Sequence, residues 1–251
     1  FIYLAALENG KTAASLINDA PIVFDDKNLE NTWRPENSSG KFYGPTRLRR
    51  ALYKSRNLVS IRLLKNTGIK KTLNYIENFG FDQKEFPKDL SLALGSAGVS
   101  PWDLARGYAI IANGGYKVTP YFIDSIKNSN GGTVFKASPL IGCYSCKPSI
   151  DQSSSANATP YNSTTATPSI DSHPLDPNNP ATLTTISEES ADNLVPPLPL
   201  YAERVIDERS TYIMHSILKD VIRKGTGRRA KKLNRTDIAG KTGTTNDQKD
   251  A

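Results

Sequence analysis

The chain has 251 residues, of which 37% are hydrophobic and 23% charged, and its formal net charge is +7. This composition suits one sizeable globular domain, and no apolar run is long enough to cross a bilayer as a helix. The excess charge is local: Arg223 to Arg235 holds seven basic residues and no acid. Such a run fits a solvated loop or an anionic partner, and without interleaved aromatics it is not read as a nucleic-acid site.

The chain opens without Met on the apolar helical stretch FIYLAALENG, which closes at Gly10, and it stops at NDQKDA. It therefore reads as a piece of a longer protein, truncated at both ends. GPTRLRRALYKS and NLVSIRLLKNTG show helical spacing (Leu48, Leu52; Leu58, Ile61, Leu64), the second with Gly68 as a C-terminal stop. IKKTLNYIENFG repeats that design up to Gly80. In SPWDLARGYAIIANGG, Ser100 is placed to cap a helix, with Pro101 at the first helical position and Asp103 at the third. YFIDSIKNSNGGTVFKA alternates about Asn130-Gly131-Gly132, a hairpin.

From about 140 to 200 the chain turns to Ser, Thr, Asn and Pro, with mostly acidic charges. Such a stretch buries too little apolar surface to offset its ordering entropy, and it reads as a flexible polar insertion within one domain. It opens with the chain's two cysteines, Cys143 and Cys146. Their spacing suits a local disulfide or two idle thiols, and no second pair of metal ligands accompanies them. Folded pattern resumes in DERSTYIMHSILKDVIRKGTG, where Asp207 can cap a helix whose apolar face runs Ile213, Met214, Ile217, Leu218 and Val221, stopped at Gly225 and Gly227.

Two short motifs carry chemistry. In IAGKTGTTND, Lys241 supplies positive charge, Thr242 and Thr244 supply hydroxyls, and Gly243 leaves room for a ligand backbone along a strand edge. That set suits an extended, peptide-like substrate ending in a carboxylate; a lysine-blunted edge strand would read the same. The second is Ser55-Arg56-Asn57. In an extended backbone the hydroxyl and the amide would point the same way, one to shuttle a proton and one to hold a carbonyl. Ser and Asn also suit a helix end followed by a helix cap.

Ser-x-Asn followed by Lys-Thr-Gly are two of the three motifs of penicillin-binding proteins and class A β-lactamases. Together with LALGSAGVSPWDLARGYAIIANGGY, GTGRRA, GPTRLRRALYKSRN and GCYSCKP, they make the chain resemble the transpeptidase domain of bifunctional class A penicillin-binding proteins over nearly its whole length. The resemblance implies an α/β fold in the broad α+β sense: a five-stranded, mainly antiparallel sheet and a helical lobe, as in serine β-lactamases. Residues 1–139 would form the first part of the domain, 140–200 the insertion, and 201–251 the helix and the Lys-Thr-Gly strand.

The third motif, Ser-x-x-Lys, has two matches, Ser38 to Lys41 and Ser216 to Lys219. Both are rejected: the first lies in a Pro/Gly/Ser loop, and the second follows Ser-x-Asn in the wrong order. In the family the nucleophile motif runs into Pro-Phe and then an apolar helix. Phe1 resembles that Phe, which places the nucleophile before residue 1.

By this resemblance the whole protein cross-links peptidoglycan stem peptides ending in D-Ala-D-Ala through a serine acyl-enzyme, and β-lactams imitate that terminus. Ser55 with Lys241 would relay a proton, and Asn57 would hold the peptide's amide carbonyl. Lys241, Thr242, Gly243 and Thr244 would line the carboxylate site, the Thr244 N–H also serving half of an oxyanion hole. Arg56 is left without a role, facing solvent. No cofactor is implied. A glycosyltransferase domain, a membrane anchor and the periplasmic face of the inner membrane are. The alternatives are a serine β-lactamase-like hydrolase, or a non-catalytic module that binds an anionic polymer through Arg223 to Arg235.

Overall fold

The computed structural model describes residues 1–23, 33–143 and 200–243. The chain divides into two compact units, one of Phe1–Gly142 with Leu200–Ala251 and one of Cys143–Pro199. The first carries all that follows. Residues 144–199, which hold most of the polar insertion, lie outside the described residues, as does Thr244.

Among the described residues six α-helices dominate: α1 (Ile2–Glu8), α2 (Leu48–Tyr53), α3 (Asn57–Thr67), α4 (Ile69–Ile76), α5 (Pro101–Ala112) and α6 (Glu208–Arg223). Their boundaries follow local chemistry. Gly68, at φ +93°, ends α3 in a conformation that side chains resist. The Ser100 hydroxyl accepts the Asp103 N–H at 3.1 Å to open α5, and the Asp207 carboxylate accepts the N–H groups of Arg209 and Ser210 to open α6.

The core forms where these helices meet. Leu4, Ala5 and Ala6 of α1 are fully buried, as are Leu58, Val59, Ile61, Leu63 and Leu64 of α3. Each of the larger side chains contributes about 1.5–3 kcal/mol by leaving water. Met214, Ile217, Leu218 and Val221 of α6 close the core from the far end of the sequence. Phe1 packs edge-on against Phe79, Phe81 and Tyr108, with ring centroids 4.8, 5.1 and 5.6 Å away. Gly107 lets α5 come this close, since a methyl there would meet the Phe1 ring at 2.9 Å.

Among the described residues the strands form two separate antiparallel pairs, β1 (Leu16–Asp19) with β2 (Gly44–Arg47) and β3 (Ser125–Lys127) with β4 (Thr133–Lys136). This differs from the expected five-stranded sheet. Part of GPTRLRRALYKS, read as helical, is β2, because Gly44 to Arg47 finds a partner in β1. The hairpin turns as expected: Asn128 Oδ1 accepts the N–H groups of Asn130 and Gly132. The first unit's chain runs to Gly142 and resumes at Leu200, where Ile141 N–H donates to Leu200 O at 3.0 Å. Cys143 is disulfide-bonded. Among the described residues no helix is long and apolar enough to cross a membrane.

The Lys-Thr-Gly segment is described only as far as Gly243. Residues 238–242 pair with no strand among the described residues. They lie along α6 instead, Gly240 N–H donating to Leu218 O at 3.4 Å while Ala239 packs on the core.

Candidate active site

Helix α2 closes in a Schellman motif. The Ser55 N–H donates to Leu52 O at 3.1 Å and the Arg56 N–H to Ala51 O at 2.9 Å. The motif needs a left-handed residue at its turning point, usually glycine, and here Ser55 occupies it at φ +53°. Ser55 and Asn57 are therefore not two steps along an extended strand. One terminates α2, the other begins α3, and the reversal between them sets both side chains.

Lys241 reaches Ser55 from 186 residues further along, its Nζ donating to Ser55 Oγ at 2.9 Å and to the Thr242 carbonyl at 2.7 Å. Lys241 borders a mostly apolar cavity of about 60 Å³ lined also by Phe1, Leu52, Tyr108, Met214 and Leu218. Loss of water around the ammonium holds the Lys241 pKa below the ordinary lysine range. The pair thus joins a hydroxyl to an amine that gives up its proton more readily than a surface lysine.

Thr242 and Gly243 are exposed beside this pair. A methyl built at Gly243 would meet nothing within 4 Å, so the space along the backbone is open to a ligand. The Thr242 hydroxyl bonds that of Thr226 at 2.6 Å. Asn57 donates one amide hydrogen to Glu36 O at 2.9 Å. Its carbonyl oxygen and second amide hydrogen have no other bond among the described residues.

Arg56 corrects the sequence reading. Its side chain is only 12% exposed and lies 3.9 Å from the fully buried Asp19 carboxylate. Its guanidinium carbon stacks 3.4 Å from the centre of the Tyr43 ring. Asp19 also accepts from Asn37 Nδ2 at 2.8 Å, and Asn37 Oδ1 accepts the Leu58 N–H at 3.4 Å at the start of α3. These groups lock the turn that carries Ser55 and Asn57. Sequence reading missed Asp19 and Asn37: their one signal is an acid and an amide outside any motif.

Two further ties hold the halves together. Arg49 of α2 meets Asp220 of α6 at 2.8 Å and donates to Ser216 Oγ at 3.0 Å. The Thr226 N–H donates to Tyr53 O at 3.1 Å. Ser216 is thus engaged by Arg49, and Ser38 lies in an exposed turn. The basic residues from Arg223 to Arg235 are all exposed, Lys224 pairing with Asp220 and Arg235 with Asp237.

Residues 1–167 match the family model of the penicillin binding protein transpeptidase domain. The chain is 47% identical over 259 residues to penicillin-binding protein 1A of Pseudomonas aeruginosa, covering all of this chain and 29% of that protein. It is 38% identical over 252 residues to penicillin-binding protein 1A of Neisseria flavescens, covering all of this chain and 25% of that protein. Among solved structures, penicillin-binding protein 1A of Haemophilus influenzae superposes with a TM-score of 0.74 at 32% identity, over 98% of this chain and 33% of that one. The D,D-transpeptidase domain of a peptidoglycan glycosyltransferase from Eggerthella lenta shares the fold at a TM-score of 0.58 and 19% identity, over 96% of this chain and 51% of that one. The chain spans little more than a quarter of the relatives it matches, and with two thirds of its residues inside the family model it belongs to the penicillin-binding protein transpeptidase domain family.

Proposed function

We propose that this chain is the substrate-holding part of a serine D,D-transpeptidase that cross-links peptidoglycan. The observation that carries the reading is the Lys241–Ser55 hydrogen bond, beside the open edge at Thr242 and Gly243. A stem peptide ending in D-Ala-D-Ala lies along that edge, its carboxylate held by the Lys241 charge and the hydroxyls of Thr242 and Thr244. Asn57 donates its second amide hydrogen to a peptide carbonyl.

A serine preceding Phe1 attacks the penultimate carbonyl, and the C–N bond breaks. Ser55, in contact with Lys241, passes a proton to the departing D-Ala amine. An amine of a second stem peptide then attacks the serine ester and releases the enzyme. The family resemblance assigns the Thr244 N–H to the oxyanion, a role worth about 3 kcal/mol in comparable sites. Segments 1–139 and 201–251 build one domain around the insertion at 140–200. In the whole protein that domain is accompanied by a glycosyltransferase domain and a membrane anchor, and it works at the periplasmic face of the inner membrane.

Fluorescent penicillin applied to the full-length protein tests the reading. A lasting label on a serine before Phe1, with the 251-residue chain unlabelled, is expected. Label mapped to Ser38 or Ser216 would contradict it, and steady turnover of the penicillin would favour a β-lactamase-like hydrolase.

A further inference from the structure

The Gly225-Thr226-Gly227 turn does more than end α6. Its N–H at Thr226 grips the Tyr53 carbonyl, two residues before Ser55, while its hydroxyl meets the Thr242 hydroxyl at 2.6 Å. Lys54 Nζ adds a bond to Lys224 O at 3.1 Å. Gly225 is buried against Tyr53, and a methyl there would overlap the Tyr53 carbonyl oxygen. Thr226 therefore touches both halves of the slot, the Ser-x-Asn turn through its backbone and the Lys-Thr-Gly segment through its side chain. Among the described residues that segment rests on α6 at Gly240 and on this hydroxyl pair at Thr242.

We infer that Thr226 is a positioning residue that orders the Thr242 hydroxyl for an anionic carboxylate and so helps the slot select free peptide termini over amidated ones. The inference rests on the proposed carboxylate site. Each hydroxyl has one proton to give, and either can donate in the empty slot. A carboxylate only accepts. Its arrival leaves one arrangement: Thr226 donates to Thr242 Oγ, and Thr242 donates its own proton to the carboxylate. Chained in this way the two bonds polarise one another. A carboxamide carries both donors and an acceptor, so it is served by either arrangement and gains nothing from the order Thr226 imposes.

The test measures the affinity of the 251-residue chain for N-acetyl-D-alanyl-D-alanine and for its C-terminal amide, in the unmutated chain and in Thr226→Val and Thr226→Ser. The expected result is that Thr226→Val weakens the acid about tenfold, the scale of one hydrogen bond to a charged group. Amide binding stays unchanged, and Thr226→Ser restores the acid. Equal binding of the acid by Thr226→Val and the unmutated chain would overturn the inference and leave the slot standing. Parallel loss of acid and amide would overturn it too, marking Thr226 as structural. An unmutated chain with no preference for the acid would overturn both the slot and the inference built on it.

Discussion

The hydroxyl of Ser55 lies 2.9 Å from the ammonium of Lys241, across 186 residues of sequence. The contact exists because α2 and α6 are pinned together, Arg49 to Asp220 at 2.8 Å. The end of α2 presents Ser55, and the segment leaning back on α6 presents Lys241. Neither motif makes a site by itself; the helix pair does.

Ser55 holds a left-handed conformation at φ +53°, which costs an L-residue roughly 1–2 kcal/mol. Ser55→Gly relieves that strain and Ser55→Ala does not. Thermal or urea unfolding should find the glycine variant more stable than the alanine variant by about 1 kcal/mol. Both lack the hydroxyl, so both should slow penicillin acylation of the full-length protein by about 10²–10⁴-fold. Equal stability of the two would show that the turn is unstrained in solution.

Arg56→Met strips the buried Asp19 of its nearest cation, and the stacking on Tyr43 with it. Removing the paired charge from a buried carboxylate costs about 3 kcal/mol, which urea unfolding should report. Hydrogen exchange should quicken at Leu58, whose N–H rests on the Asn37 carbonyl oxygen. An unchanged midpoint would mean Arg56 is an ordinary surface residue.

Gly225 and Gly240 form a matched pair. A methyl at 225 would strike the Tyr53 carbonyl, whereas a methyl at 240 would meet nothing within 4 Å. Gly225→Ala should lose about 1–3 kcal/mol of stability, as overpacking does, and should weaken peptide binding by shifting the turn before Ser55. Gly240→Ala should stay within about 0.5 kcal/mol of the unmutated chain. Circular dichroism melts of the two variants, side by side, decide it.

Much of the helical frame was legible because its signals are local. Gly68, the Ser100-Pro101 start and the Asp207 cap each act within one turn of the residues they organise, so spacing alone reveals them. The β1–β2 pair was not legible: its strands have four residues each and join Leu16 to Arg47, a match that no local pattern encodes. Small and β-branched residues suit Lys-Thr-Gly to a strand, but no local pattern says what it packs on; among the described residues its start rests on α6 at Leu218. The site residues were found through family motifs. What the motifs hid was the conformation at Ser55 and the burial of Arg56, since both depend on Asp19, Asn37 and Tyr43, which lie outside any motif.

The pH behaviour of Lys241 bears on the account most directly. Desolvation lowers its pKa in the free chain, and a bound carboxylate favours the charged amine and should raise it again. The positive charge should therefore fade at lower pH than on surface lysines, taking peptide affinity with it as pH rises. Nitrogen NMR of Lys241 Nζ, titrated with and without N-acetyl-D-alanyl-D-alanine, measures both steps. A pKa below that of ordinary lysine in the free chain, moving up when the peptide binds, is the predicted result. An ordinary pKa that the peptide leaves unmoved would show that Lys241 stands in bulk water and holds no carboxylate.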